Sequence, residues 1–479
     1  MFGANRACRK ISGAGADRLS GANLYAPRTW TGFALSVSCF AWLPSLVLAD
    51  GAFADSGAIL LPRTHPHRII ASSDLSGLVV SDDDGATWSW ICDASIGYFA
   101  VLFQLGPAPD ENLYAITQAG LAISDDAGCT WQHAGGIAQR AGDVFPNPSD
   151  PQSVLAVAAV AVAPENHALS DVVAESHDGG RSFGSPMFVT SQASITGVEI
   201  ARSNPSAFYL TMSSLQLQHP YIARSNDAGA SWVELDLSGQ LGRRPVVLRI
   251  LAVDSVDANT LYIRVSDGTR DALAITRDGG ETVQVALQLD SRMTAFLLRA
   301  DGALVVASAD ATSFVSTDAG ATFLPWSDAF HIQALAERDG ALYATANSKV
   351  DGFAVAVSTD SGSRWRRLLQ LGQLQGPSSC GEVGAKCHDA WTQLKPSLAV
   401  LAGKSREVAG ASALDDVAGR AGDGRREPRV AGSCAIATPT GRSRTRSAGL
   451  MWLFAGAALF PSVKRPPQKS RLLDQENRI

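Results

Sequence analysis

The chain has 479 residues, 46% of them apolar, with 44 Gly and 22 Pro; that is enough apolar material for a large core and enough breakers for a turn-rich fold. Its net charge of −6 conceals an uneven spread, with −17 over residues 50–400, +4 over the first 49 and +7 over the last 79. So acidic a body excludes nucleic acid as the expected partner, because phosphate contacts need a basic face.

At the N-terminus, Arg6, Arg9, Lys10, Arg18 and Arg28 precede an apolar stretch over residues 33–48. It finishes Val47-Leu48-Ala49 before Asp50, and Ala52-Phe53-Ala54 before Asp55 offers a second cut. Basic residues, an apolar run and small residues at the cut are the parts of an export signal, expected here over residues 1–49. A translation start nearer Arg28 would shorten its long lead-in. There is no twin-arginine pair, which favours the general export route.

From residue 58 onward, strand-like runs alternate with one recurrent string. Leu78-Val79-Val80 closes in Ser81-Asp82-Asp83-Asp84-Gly85-Ala86-Thr87-Trp88, and the skeleton returns six times. Ser124, Asp126, Gly128 and Trp131 hold its places in the second copy, and Ser176, Asp178, Gly180 and Phe183 in the third. Ser225, Asp227, Gly229 and Trp232 form the fourth. The fifth has Thr276, Asp278 and Gly280 but Val283 in the aromatic place. Ser316, Asp318, Gly320 and Phe323 form the sixth. Ser358, Asp360, Gly362 and Trp365 form the seventh, with Arg364 where a hydroxyl residue belongs. The aspartates follow at steps of 43, 52, 49, 51, 40 and 42. Such a period means stacked or radially arranged supersecondary units.

The pattern has a physical logic. Aspartate carries a short acceptor for backbone N–H groups just ahead of it, which fixes a tight turn. Glycine two places on supplies a positive φ, Ser or Thr adds a second local bond, and the aromatic opens the next strand with a large apolar surface. Between the strings lie runs such as Val154-Leu-Ala-Val-Ala-Ala-Val-Ala-Val162, Phe208-Tyr-Leu-Thr211 and Leu261-Tyr-Ile-Arg-Val265, broken by Gly, Pro, Asn and Asp. No amphipathic helical window interrupts them. Short β-rich runs of this kind predict an all-β domain, and four strands per unit is the make-up of a propeller blade.

The seven strings resemble Asp-box (BNR) repeats, familiar from sialidases, sortilin-type receptors, xyloglucan-hydrolysing enzymes and photosystem II assembly factors. The resemblance covers roughly residues 58–370. It implies a seven-bladed β-propeller of four-stranded antiparallel blades within residues 50–400, with each box joining the third and fourth strands on the outside of a blade. On that reading the box aspartates are structural. A binding or scaffold module for a protein or glycan partner is expected, monomeric as a single ring. The alternatives are a glycoside hydrolase, sialidase-like or glucan-hydrolysing, and an assembly or maintenance factor similar to the photosystem proteins. A sialidase would need an Arg-Ile-Pro motif early in the chain, where this sequence has Leu61-Pro62-Arg63-Thr64-His65-Pro66. Sialidase propellers also have six blades. No tyrosine matches the sialidase nucleophile motif, so no catalytic residue is assigned.

Other constellations are weaker. His65-Pro66-His67 offers two imidazoles without a third ligand nearby. Cys387-His388-Asp389 puts triad residues side by side, where they point apart. The acidic body leaves room for a bound Ca²⁺, although no EF-hand-like or RTX-like spacing occurs; no cofactor is expected.

Beyond an export signal, Cys92, Cys129, Cys380, Cys387 and Cys434 remain. Five is odd, so one is left over. Cys380 and Cys387 could close a short loop, and Cys92 and Cys129 could pair across adjacent blades or stay as buried thiols. Residues 401–447 turn to Ala, Gly, Arg and Asp, the composition of a flexible linker. Within them Cys434 precedes an apolar run over residues 448–463, followed by Lys464, Arg465 and a tail to Ile479. Cysteine, hydrophobic segment and basic stop together resemble a myxobacterial C-terminal sorting signal. That implies lipid modification or cleavage at Cys434 and an outer-membrane or cell-surface propeller. The other reading is an uncleaved membrane anchor.

Overall fold

The structure, a computed structural model, describes residues 57–399 apart from 73–74, 164–167, 215, 217–218, 243–245 and 328–329. The expected export signal, Cys434 and the C-terminal apolar run lie outside the described residues. Among the described residues no helix is long and apolar enough to cross a membrane.

Seven sheets follow in chain order at residues 59–91, 102–133, 141–190, 193–236, 247–288, 293–325 and 332–369, each of four antiparallel strands paired in sequence order. The fold is an all-β seven-bladed propeller, as the repeat predicts. The strands Asp271–Thr276 and Leu304–Ser308 are buried at every position, because neighbouring blades cover both faces of each sheet. A strand covered on both faces reads as a continuous apolar run rather than an alternation. Fourth strands such as Gln132–His133 and Gln284–Gln288 lie largely in solvent. First strands surround the axis, and in blades 3 to 7 the register between the first two strands slips by one residue. Such bulges add twist and re-aim a side chain.

The repeat does not disclose how the ring closes. Among the described residues no strand of blade 1 is borrowed by blade 7; an element from outside the blades adds to their direct contacts at the seam. A strap leaves the last strand, Arg366–Leu369, and runs beside the fourth strand of blade 1, Ser89–Ile91. Trp90 N–H donates to the Gly376 carbonyl at 2.9 Å, and Ser378 N–H donates to the Trp90 carbonyl at 2.8 Å. A short helix, Val383–Lys386, follows, then further helix over residues 388–399. Ile59 and Ile70 of blade 1, Val355 and Leu369 of blade 7, and Val383 and Leu398 of the strap share one apolar core. Arg338 Nη1 of blade 7 donates to the Arg68 carbonyl of blade 1 at 2.8 Å.

Two disulfides fix the strap, and their pairing corrects the expectation from sequence. Cys387 joins Cys92 across 295 residues, and Cys380 joins Cys129 across 251. Cys380 and Cys387 do not pair with each other, because the intervening helix turns each toward a different blade. Cys92 and Cys129 do not pair either, because the strap lies between them. A cross-link closing a loop of this length removes much chain entropy from the unfolded state. Replacing Cys92 and Cys387 together by Ser is expected to lower unfolding stability by about 2–4 kcal/mol, measured by denaturant titration under non-reducing conditions. An unchanged midpoint would mean that the strap does not hold the ring.

Candidate functional site

Each of the seven strings forms the turn between the third and fourth strands of its blade. In the second copy, Ser124 Oγ donates to Asp126 Oδ1 at 2.9 Å and accepts the Gly128 N–H at 2.7 Å. Asp126 Oδ1 also accepts the Thr130 N–H at 2.8 Å, and Oδ2 accepts the Thr130 hydroxyl at 2.7 Å. The same bonds recur in the other turns at Asp83, Asp178, Asp227, Asp278 and Asp318. The seventh turn keeps the amide bond, Arg364 N–H to Asp360 Oδ1 at 2.8 Å. Arginine has no hydroxyl to give the second. Trp88, Trp131 and Trp232 each return an indole N–H to the carbonyl of their own turn's glycine, at 3.0, 3.0 and 3.1 Å.

The glycine does more than bend the chain. Gly362 has φ +88°, and a Cβ there would stand 2.2 Å from the Trp326 ring of blade 6; at Gly320, φ +83°, it would stand 2.3 Å from Ile275 of blade 5. The turn therefore lies flat on the preceding blade. The residue before the glycine is left-handed too: Asp84, Ala127, Ala228, Ala319 and Ser361 have φ between 55° and 60°, and in the third and fifth turns glycine fills this place. The carboxylate clamp holds two successive residues in a region that side chains disfavour.

The clamp is also visible electrostatically. The Thr322 hydroxyl and N–H, with Ser316, hold the Asp318 carboxyl down at about 2. At Asp178, burial pushes the carboxyl up, but the Ser182 hydroxyl and N–H and the Ser176 hydroxyl outweigh it and bring it to about 2. These bonds of the carboxylates are made within their own turns.

The place where all seven blades meet is the mouth of the central channel. The ends of the seven first strands surround a cavity of about 150 Å³, walled by Leu60, Leu105, Phe145, Ile200, Val253 and Leu298 among others. Because strands alternate in direction, it opens on the face that carries the seven turns, nearer the axis. Arg63 and Arg202 line it together with Gln104, Ser255, Glu111 and Glu337. Burial lowers the pKa of Arg202, and the positive charge of Arg63 lowers it further. Arg63 is exposed at this mouth and Arg202 is half-buried. Both carboxylates carry hydrogen bonds from backbone and side chains. Glu111 accepts the Thr64 N–H at 3.0 Å, as well as the Arg63 N–H and the Thr64 hydroxyl. Glu337 takes Arg299 Nη2 at 2.8 Å and the Ala300 N–H at 2.9 Å.

Deeper in the wall, three first strands contribute Asp143, Glu199 and Arg249. Arg249 Nη2 meets Asp143 Oδ1 at 3.1 Å, and Glu199 Oε2 accepts the Val253 N–H at 3.0 Å. Burial, aided by the Asp143 charge, pushes Glu199 up to about 8 against the pull of the Val253 N–H and Arg249. Folding at neutral pH therefore takes up a proton here.

Sequence reasoning singled out the turns but not Arg202, Glu199, Asp143 or Arg249; the last three stand on the first strands of consecutive blades and meet through blade-on-blade packing. Arg63 came up in it only as part of the early string that departs from the sialidase motif. His65 and His67 are exposed, and His67 Nδ1 lies 2.7 Å from Asp84. Among the described residues no group of His, Cys, Asp and Glu is arranged to hold a metal ion.

No protein-family model matches the chain, and no curated protein matches it in sequence. Solved structures resemble it in fold. The GH74 xyloglucanase from Xanthomonas campestris is 16% identical with a TM-score of 0.43, over 57% of this chain and 45% of that one. The chain thus spans less than half of the xyloglucanase. YCF48 from Cyanidioschyzon merolae is 11% identical with a TM-score of 0.41, over 62% of this chain and 93% of that one. A puromycin-hydrolyzing peptidase from Mycobacterium tuberculosis is 12% identical with a TM-score of 0.46, over 69% and 55%. Likeness at this level says nothing about activity.

The clamp and the wall titrate in opposite directions. Asp126→Ala is expected to cost about 1–2 kcal/mol of unfolding stability, read from denaturant unfolding. Clamp carboxylates have pKa values below their unfolded value of 3.8, so their contribution is full above about pH 4 and is lost as pH falls toward 2. Glu199 is raised from 4.5 to about 8, so its part of the stability is present below pH 4.5 and is lost as pH rises toward 8. Glu199→Gln should flatten the alkaline side of the stability–pH curve and leave the acid side unchanged.

Proposed function

We propose that the protein is a binding module whose channel mouth takes an anionic group of a protein or glycan partner, a carboxylate above all. The observation that supports this reading is that two arginines from different blades, Arg63 and Arg202, line one apolar mouth and lie near enough for the charge of one to lower the pKa of the other. A charge-assisted bond to either guanidinium would fix the anion, and the apolar wall would bury whatever carries it. The seven turns are then Asp-box repeats in a purely structural role. Export to the cell surface belongs to the same proposal; the two disulfides support it, because such bonds persist in oxidising compartments. A glycoside hydrolase would need two carboxylates free to flank the scissile bond, and Glu111 and Glu337 are occupied as described.

Calorimetry tests the reading with four probes: peptides with a free C-terminal carboxylate, the same peptides amidated, oligogalacturonate, and neutral xyloglucan oligosaccharides. Anionic probes should bind, more weakly as salt rises, and Arg202→Gln should weaken them about tenfold, whereas Asp126→Ala should leave binding intact. Equal binding of neutral probes, indifferent to Arg202→Gln, would contradict the proposal. Release of reducing sugar or sialic acid, lost on changing one Asp or Glu outside the turns, would put the hydrolase reading first.

A further inference from the structure

The two disulfides that fix the strap differ in setting. Cys92 and Cys387 are 2% and 0% exposed, enclosed in the apolar core shared by blade 1 and the strap. Cys129 and Cys380 are both partly exposed. Both line a cavity of about 340 Å³ between the strap and the outer edges of blades 1 and 2, together with Arg68, Asp82, Ser89 and Gln375. The two sulfurs of this bond are not equivalent. The Ser378 hydroxyl donates to Cys380 Sγ at 3.1 Å, and the Cys380 N–H in turn contacts Ser378 Oγ at 3.4 Å. Cys129 belongs to the turn of blade 2, whose Asp126 clamp fixes the backbone on either side of it. The strap is pressed against that turn: a Cβ on Gly381 would lie 2.6 Å from the Cys129 carbonyl oxygen.

We propose that Cys129–Cys380 is a thiol–disulfide exchange site open to low-molecular-weight thiols, while Cys92–Cys387 is a permanent staple. The thiolate of a small thiol enters the cavity and attacks Cys129 Sγ. The Cys129–Cys380 bond breaks, a mixed disulfide forms on Cys129, and Cys380 leaves as the thiolate. The hydroxyl of Ser378 favours that direction, because a hydrogen bond to the charged form lowers a thiol's pKa, and the sulfur of lower pKa leaves faster. A second small thiolate then attacks the outer sulfur of the mixed disulfide. It releases the oxidised small disulfide and leaves Cys129 as a thiolate, so the two electrons of the reduction come from the two small thiols. The same small disulfide drives the reverse reaction. Exchange frees the strap from the turn of blade 2. The Trp90 pairing and the buried disulfide keep the ring closed.

Peptide-resolved mass spectrometry tests this on the oxidised full-length chain. The protein is held under native conditions in increasing reduced glutathione, quenched with iodoacetamide and digested. Cys129 and Cys380 are expected to open at glutathione concentrations that leave Cys92–Cys387 intact. The glutathione adduct should form on Cys129 several-fold more than on Cys380. Ser378→Ala should slow the opening several-fold in the native protein and leave the rate in denatured chain unchanged, a difference that loss of stability alone would not produce. Opening of Cys92–Cys387 first or in step, or no opening short of denaturation, would overturn the site. Equal adducts on the two sulfurs, or no effect of Ser378→Ala, would overturn the assignment of Cys380 as the leaving sulfur.

Discussion

One aspartate carboxylate per blade, folded back onto its own turn, sets the geometry from which the rest of the ring follows. It accepts the N–H four residues on and, in six of the seven turns, the adjoining hydroxyl as well. That double hold keeps two successive residues at positive φ and brings the second, a glycine, down onto the blade before it. Glycine is required there for two independent reasons, the backbone conformation and the missing space for a Cβ. At the seam the same contact is made by Gly85 on Leu368, so blade 1 seats on blade 7 as each other blade seats on its predecessor.

Seating alone does not lock a ring whose ends are separate sheets. Blade 1 and blade 7 are each complete, so the seam lacks the shared strand that would make opening cost backbone hydrogen bonds. The strap replaces it with three backbone bonds to Trp88 and Trp90, an apolar cluster and two long-range disulfides. Closing the ring is also what assembles the channel mouth, because its lining comes from all seven first strands. The proposed anion site thus depends on the strap without touching it.

What the sequence disclosed was whatever repeats. Seven turns, four strands per unit and the placement of each turn between third and fourth strands follow from a local string that carries its own bonds. Three things were not legible. The left-handed residue before each glycine was hidden because Ala, Asp and Ser stand there in five copies, and only Gly179 and Gly279 hint at it. The disulfide partners depend on where a strap outside the repeat runs, and spacing alone suggested Cys380 with Cys387. Arg63 and Arg202 lie 139 residues apart in the chain and come to line one cavity only around the axis, where no sequence period links them. The buried Glu199 looks in sequence like any strand-end acid; the neighbouring blades make it otherwise.

The central claim, that the repeated aspartates are spent on the fold and the chemistry lies at the axis, is open to one direct measurement. Titration of the aspartate side-chain carboxylates by carbon-13 NMR, with and without a saturating carboxylate peptide, reads the clamps themselves. The clamp carboxylates should all titrate below the ordinary aspartate range, with Asp178 and Asp318 near 2, and should not move when the peptide binds. Midpoints near 4, or midpoints that shift on binding, would contradict it.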